Sequence, residues 1–241
     1  MSMGLFDFPA PLFGAVEALL QPLPPAARLA LWAAVAAGLS MWLYKLLSPQ
    51  KKLAEAEAEA LAARRELNAF DGEMDEAWPM ISRMFRAAGS RLWLALPPAL
   101  LASLPIVALI VWLSNDYGYR FPAENVHVPA EAAPARYHAA VTGAGDQDRR
   151  VLVREPEGEI VSDVPLAAPV PVIEKRRWWN WLIANPTGYL PADAPVERVE
   201  VRLPALEVVP FGPSWMRGWE ALFFALFLAF SLVIKKVGKI S

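Results

Sequence analysis

Cysteine is absent from the chain, which excludes a disulfide scaffold, a cysteine-based zinc site and a thiol nucleophile. Histidine occurs only twice, at His127 and His138, in a Pro/Ala-rich stretch without metal-ligand spacing. Charge is scarce as well. Only 20% of residues are charged and the net charge is -2, so no strong field for nucleic acid is expected, nor any specific nucleic-acid partner. Met1–Ala10 contains no lysine or arginine, so the basic start of a cleaved signal peptide is missing. Helix signals are sparse over Asp116–Pro213, where many of the 23 prolines gather.

What fills the chain is apolar sequence. Three uncharged stretches, Leu29–Tyr44, Leu92–Asn115 and Ala221–Ile234, are candidates for crossing a bilayer. A crossing needs about 20 apolar residues for a hydrocarbon core of about 30 Å. The middle stretch meets this, with Pro97, Pro98 and Pro105 as expected kinks. The outer two reach it if Arg28, Lys45, Arg217 and Lys235 snorkel toward the headgroups. Trp32, Trp42, Trp93, Trp112, Trp215 and Trp219 fall near the ends, as an aromatic belt does.

The expected fold class is an α-helical multi-pass membrane protein with three transmembrane helices, a helical hairpin and a small β-rich domain. The expected divisions are an interfacial amphipathic segment (1–25), a first span (26–47), a coiled-coil hairpin (48–91), a second span (92–115), a β-rich domain (116–213), a third span (214–235) and a tail (236–241). Lys45–Arg91 carries eight basic residues in 47 positions, most of them near span ends. Asp116–Pro213 carries ten in 98, with only Arg120 close to a span. The positive-inside rule then puts the hairpin and C-terminus in the cytoplasm and the N-terminus and β-rich domain outside. For a bacterial chain this is the inner (plasma) membrane.

Within Pro11–Leu20, Leu12, Phe13, Val16, Leu19 and Leu20 are expected on one face, with Glu17 opposite, as in a helix lying in the interface. In the hairpin, Leu53, Ala56, Ala60, Ala63, Leu67, Phe70, Met74 and Ala77 recur at alternating steps of three and four, an a/d seam. Asn68–Gly72 carries turn chemistry, and a second helix is expected over Asp75–Arg91, interrupted near Pro79. One continuous helix is the alternative. Glu55, Glu57 and Glu59 read as a solvated face. Met74, Met80 and Met84, with Trp78 and Phe85, make a soft apolar strip. It suits either ordinary hairpin packing or an adaptable surface for varied apolar clients.

In the β-rich region, Arg150–Arg154, Glu159–Val164, Val170–Ile173 and the alternating Val199–Val209 read as strands, and a small sandwich is the expected arrangement. Lys175, Arg176 and Arg177 precede Trp178, Trp179 and Trp181. Such a patch suits a glycan, a lipid headgroup or a protein partner, or rings resting on a bilayer or another domain. Asn185–Tyr189 reads as a turn. No catalytic constellation stands out. Ser162 and Asp163 with a distant histidine form no recognisable triad, and Gly143–Gly145 lacks the strand–turn–helix context of a nucleotide loop. The expectation is a non-enzyme without cofactors.

The layout resembles the YidC/Oxa1 superfamily of membrane protein insertases, including its shorter TMCO-type and archaeal members. PLFGAVEALL is similar to the family's amphipathic outer helix, LYKLLSPQKKL at Leu43–Leu53 to its exit from the first core span, and LWLALPPALLASLPIVALIVWL at Leu92–Leu113 to its second core span. The chain departs from the family in two places. No arginine lies inside the uncharged stretch Leu29–Tyr44 of the first span, and the region between the second and third spans is a domain rather than a short hairpin.

The resemblance implies a biogenesis factor, an insertase or intramembrane chaperone, that shelters client helices beside a groove facing the cytoplasm. Ser40, Lys45, Ser103 and Ser231, with the Met strip, would line that groove. The partners would be the lipid bilayer, nascent membrane proteins and a ribosome met through the hairpin. The alternative is a non-catalytic structural or interaction subunit of an envelope complex, whose outer domain binds a partner, lipid or glycan.

Overall fold

The structure is a computed structural model that describes residues 4–72, 74–122, 128–143 and 148–238, without the side chains of residues 74–76. About 56% of it is helical. Three helices are long and apolar enough to cross a membrane, Pro25–Leu47, Ala77–Tyr117 and Trp219–Gly238, which fits a membrane protein. The chain divides into two compact units, one formed by residues 1–30 and 107–223, the other by residues 31–106 and 224–241.

The first unit holds α1 (Ala10–Leu20), the start of α2 (Pro25–Leu47), the end of α4 (Met74–Tyr117), a β-sheet, α5 (Ser214–Arg217) and the start of α6 (Trp219–Gly238). The strands are β1 (Pro129–Ala133), β2 (His138–Thr142), β3 (Arg150–Arg154), β4 (Ile160–Pro165), β5 (Val172–Glu174) and β6 (Arg198–Val201). They pair in the order β4-β3-β2-β1-β6-β5, antiparallel throughout. The result is one sheet curled into a half-barrel, where a sandwich was expected. Alternation explains its inner face. Val151, Val153, Val199 and Val201 are buried while their strand neighbours point out, and Ile173, Leu166 and Val196 complete the core. A curled sheet closes over this core with one layer, so no second sheet is required.

Two of the central strands, β1 and β2, were not legible in the sequence. Their segments, PAEAA and HAAVT, are rich in alanine, which has little strand preference. They form because β6 and β3 supply partners on either side. The expected strand over Val199–Val209 ends at Val201, ahead of Pro204.

The second unit contains the rest of α2, α3 (Gln50–Asn68), most of α4 and the end of α6. α3 and α4 are separate helices, not one continuous rod. Ion pairs Glu66–Arg83 (3.3 Å) and Glu57–Arg91 (3.1 Å) tie them antiparallel, so Glu57 is engaged rather than only solvated. The seam residues Leu53, Ala56 and Ala63 are buried, as is Ala77 on α4. The expected interruption near Pro79 is absent. α4 runs unbroken for 44 residues with four prolines inside it.

Candidate functional site

The residues proposed for a groove all belong to the second unit. Ser40 on α2 is half-buried, and Ser231 on α6 has a buried hydroxyl with no hydrogen-bond partner among the described residues. Ser103 on α4 donates to the Leu100 carbonyl (2.7 Å), one turn back on its own helix. Lys45 is exposed, and its ammonium donates to the Gly238 carbonyl (3.1 Å) at the end of α6. A cation suits that position because the last carbonyls of a helix lack backbone partners and carry the negative end of its dipole. Met80 and Met84 are half-buried on α4. The Met74 side chain lies outside the described residues, as do His127 and the Ala144–Gly145 part of the GAG segment.

The apolar strip extends further than the methionines. Trp78, Phe85 and Leu92 are seven residues apart, and Leu96 and Leu100 continue in steps of four, so all five share one face of α4. All five are exposed, Trp78 and Phe85 at 66% and 67%. Ala77, Ala87, Pro98 and Ala102 are buried on the opposite face. A 44-residue helix is about 66 Å long, roughly twice the hydrocarbon thickness, and the strip covers about 33 Å of it.

In the first unit the largest departure from expectation is Glu17. It is buried, while Leu12 and Leu19 of the same helix are exposed. Its carboxylate accepts from the Arg28 guanidinium and from the Tyr117 hydroxyl (2.5 Å), joining α1 to the starts of α2 and the end of α4. The Arg28 guanidinium also lies 5.7 Å from the Tyr117 ring centre. Phe13 against Trp112 (5.7 Å) and Trp112 against Tyr117 (6.4 Å) continue the contact. Arg28 is therefore paired inside the protein and does not snorkel. Arg217 is likewise engaged, by the Gly212 carbonyl (2.8 Å) and Glu207 (3.3 Å).

The cation–tryptophan patch is also in this unit. Trp178, Trp179 and Asn180–Trp181 form a 3-10 turn, with Trp178 81% and Trp181 55% exposed. The cations turn to other partners. Lys175 pairs with Glu197 (2.8 Å), Arg177 with Glu174 (3.4 Å), and Arg176 lies 6.0 Å from the Tyr189 ring centre. Behind the turn is an open cavity of about 350 Å³, lined by Trp179, Asn180, Asn185, Tyr189, Glu174 and Arg198 among others. Its amides serve the fold. Asn185 donates to the Val172 carbonyl (2.8 Å) and accepts from the Thr187 amide (3.0 Å) in the expected Asn185–Tyr189 turn, and Asn180 accepts from the Arg177 amide (2.6 Å). Among the described residues Ser162 and Asp163 form no triad. Asp163 accepts from Arg150 (2.7 Å), which raises that guanidinium's pKa, and neighbouring strand residues face opposite sides. Among the described residues no cluster of three or more His, Asp or Glu could hold a metal ion.

The inward glutamate was missed in the sequence, and so was the continuation of the apolar strip from Phe85 to Leu92, Leu96 and Leu100. The available signal for the first was a charge in an apolar helix with an arginine eleven residues on. For the second it was the seven-residue spacing of Trp78, Phe85 and Leu92. The chain matches no family model, no curated protein and no solved structure.

Proposed function

We propose that this chain is a membrane protein biogenesis factor, insertase-like or an intramembrane chaperone, that receives apolar client segments along α4. One observation carries the reading: the exposed strip Trp78–Phe85–Leu92–Leu96–Leu100 extends along one face of a helix that is long and apolar enough to cross a membrane. An apolar segment leaving water loses about 25 cal/mol of free energy for each Å² it covers, so such a strip offers it a continuous path to lipid. Methionines beside the strip let it adapt to different sequences. The resemblance of Pro11–Asn115 to the YidC/Oxa1 layout supports the same reading. No catalytic residue is required, because the barrier is the transfer of polar groups past hydrocarbon, about 2.5–3.5 kcal/mol for a charge on insertion scales.

A specific observation favours the second reading, a structural subunit of an envelope complex. Two of the polar groups assigned to a groove are used internally, Ser103 on its own helix and Lys45 on the end of α6. A photo-crosslinker at Trp78 or Phe85, activated while a membrane protein is being translated, separates the two. Crosslinks to nascent apolar segments are expected. Crosslinks to one stable membrane-complex protein, with none to nascent chains, would replace the insertase reading with the subunit reading.

A further inference from the structure

The exposed tryptophan turn is fastened to the N-terminus by a clasp. The Phe6 amide donates to the Leu182 carbonyl (2.9 Å), and the Asp7 carboxylate accepts from the Ala184 amide (2.8 Å) and the Gly4 amide (3.0 Å). Gly4 packs so closely that a β-carbon there would stand 2.6 Å from the Leu182 carbonyl oxygen. The clasp joins two short turns that each show large apolar side chains to the outside: Leu5 and Phe8 on one, Trp178 and Trp181 on the other.

We propose that these joined turns are a foot of the β-unit, seated in the headgroup region of the leaflet on that side of the membrane. Three observations select lipid as the occupant. The clasped segment leads through α1, with exposed Leu12 and Leu19, directly into the spanning helix α2. Exposed Trp215 and Phe211 precede the spanning helix α6 in the same unit, so exposed aromatic residues recur where the chain enters the bilayer. Exposed Arg176 and Arg177 flank the tryptophans, placing cations where lipid phosphates lie and rings where the interface favours them. The foot restrains the half-barrel against the bilayer, which a lone connection through spanning helices does not do.

The absence of cysteine makes the test direct. A single cysteine at 178, 181 or 157 is spin-labelled in the full chain, reconstituted in nanodiscs of phosphatidylethanolamine and phosphatidylglycerol. Glu157, exposed between β3 and β4, is the aqueous reference. Labels at 178 and 181 should gain oxygen accessibility and lose accessibility to a water-soluble nickel chelate, at a depth near the headgroup–acyl boundary, while 157 stays aqueous. Equal nickel accessibility at all three positions would overturn the proposal. So would labels at 178 and 181 shielded from both reagents, because protein rather than lipid would then cover the turn. Asp7→Ala should free the label at 178 and return it toward water while the sheet resists protease as before. An unchanged depth in a well-folded Asp7→Ala variant would remove the clasp from the proposal.

Discussion

Glu17 shows how one residue reverses the reading of an element. A helix with five apolar residues and one carboxylate is ordinarily laid with the carboxylate in water. Here the carboxylate meets a guanidinium and a phenol inside the protein, and the leucines face outward. Burying a carboxylate is costly unless it is paired and hydrogen-bonded, and Glu17 has both kinds of partner. Removing one member of such a buried pair costs on the order of 3–5 kcal/mol, because the other is left uncompensated. Glu17→Ala is therefore expected to lower the thermal midpoint in detergent sharply, and Glu17→Ala with Arg28→Ala to recover part of the loss. Thermal unfolding of the two single variants and the double variant checks this. A double variant no better than the sum of the singles would deny the coupling. The pairing was not legible in the sequence, since no local spacing joins positions 17, 28 and 117.

At the scale of elements, α4 decides most. Pro79 suggested an interruption and Pro97, Pro98 and Pro105 kinks, yet a helix tolerates proline where neighbours or water satisfy the freed carbonyls. The seven-residue spacing of Trp78, Phe85 and Leu92 sets a strip whose exposure is legible only when the opposite, alanine-bearing face is seen to be buried. Trp78→Ser with Phe85→Ser is expected to leave stability within about 0.5 kcal/mol, as exposed substitutions do, while abolishing crosslinks of nascent chains to α4. Unchanged crosslinking would detach the strip from client contact. The Glu57–Arg91 pair, both side chains being about 40% exposed, belongs to the weak class. Glu57→Gln should cost no more than about 1 kcal/mol in denaturant unfolding, and less in high salt. The sheet teaches the converse lesson. β3 was legible from its alternating valines, whereas β1 and β2 acquire strand form from their neighbours in the sheet.

At the scale of the molecule, connectivity constrains the layout. α3 precedes α4 and the β-strands follow it in the chain, so α3 and the sheet are expected on opposite sides of the membrane if α4 crosses it once. The excess of lysine and arginine around α3 predicts which side is cytoplasmic. A cysteine introduced at Glu157 should react with a membrane-impermeant maleimide in intact cells, and one at Glu59 only after permeabilisation. The reverse pattern would invert the proposed orientation.

The sequence by itself determined the three apolar helices, the turn after α3 and the strongest strands, because each rests on local periodicity or composition. Tertiary structure alone decided that Glu17 turns inward, that alanine-rich strands occupy the middle of the sheet, that Lys45 holds the end of α6, and that the N-terminal turn grips the tryptophan turn. Each of these joins groups far apart in the chain. Their energies come from pairing and burial that exist only once the chain has brought the partners together.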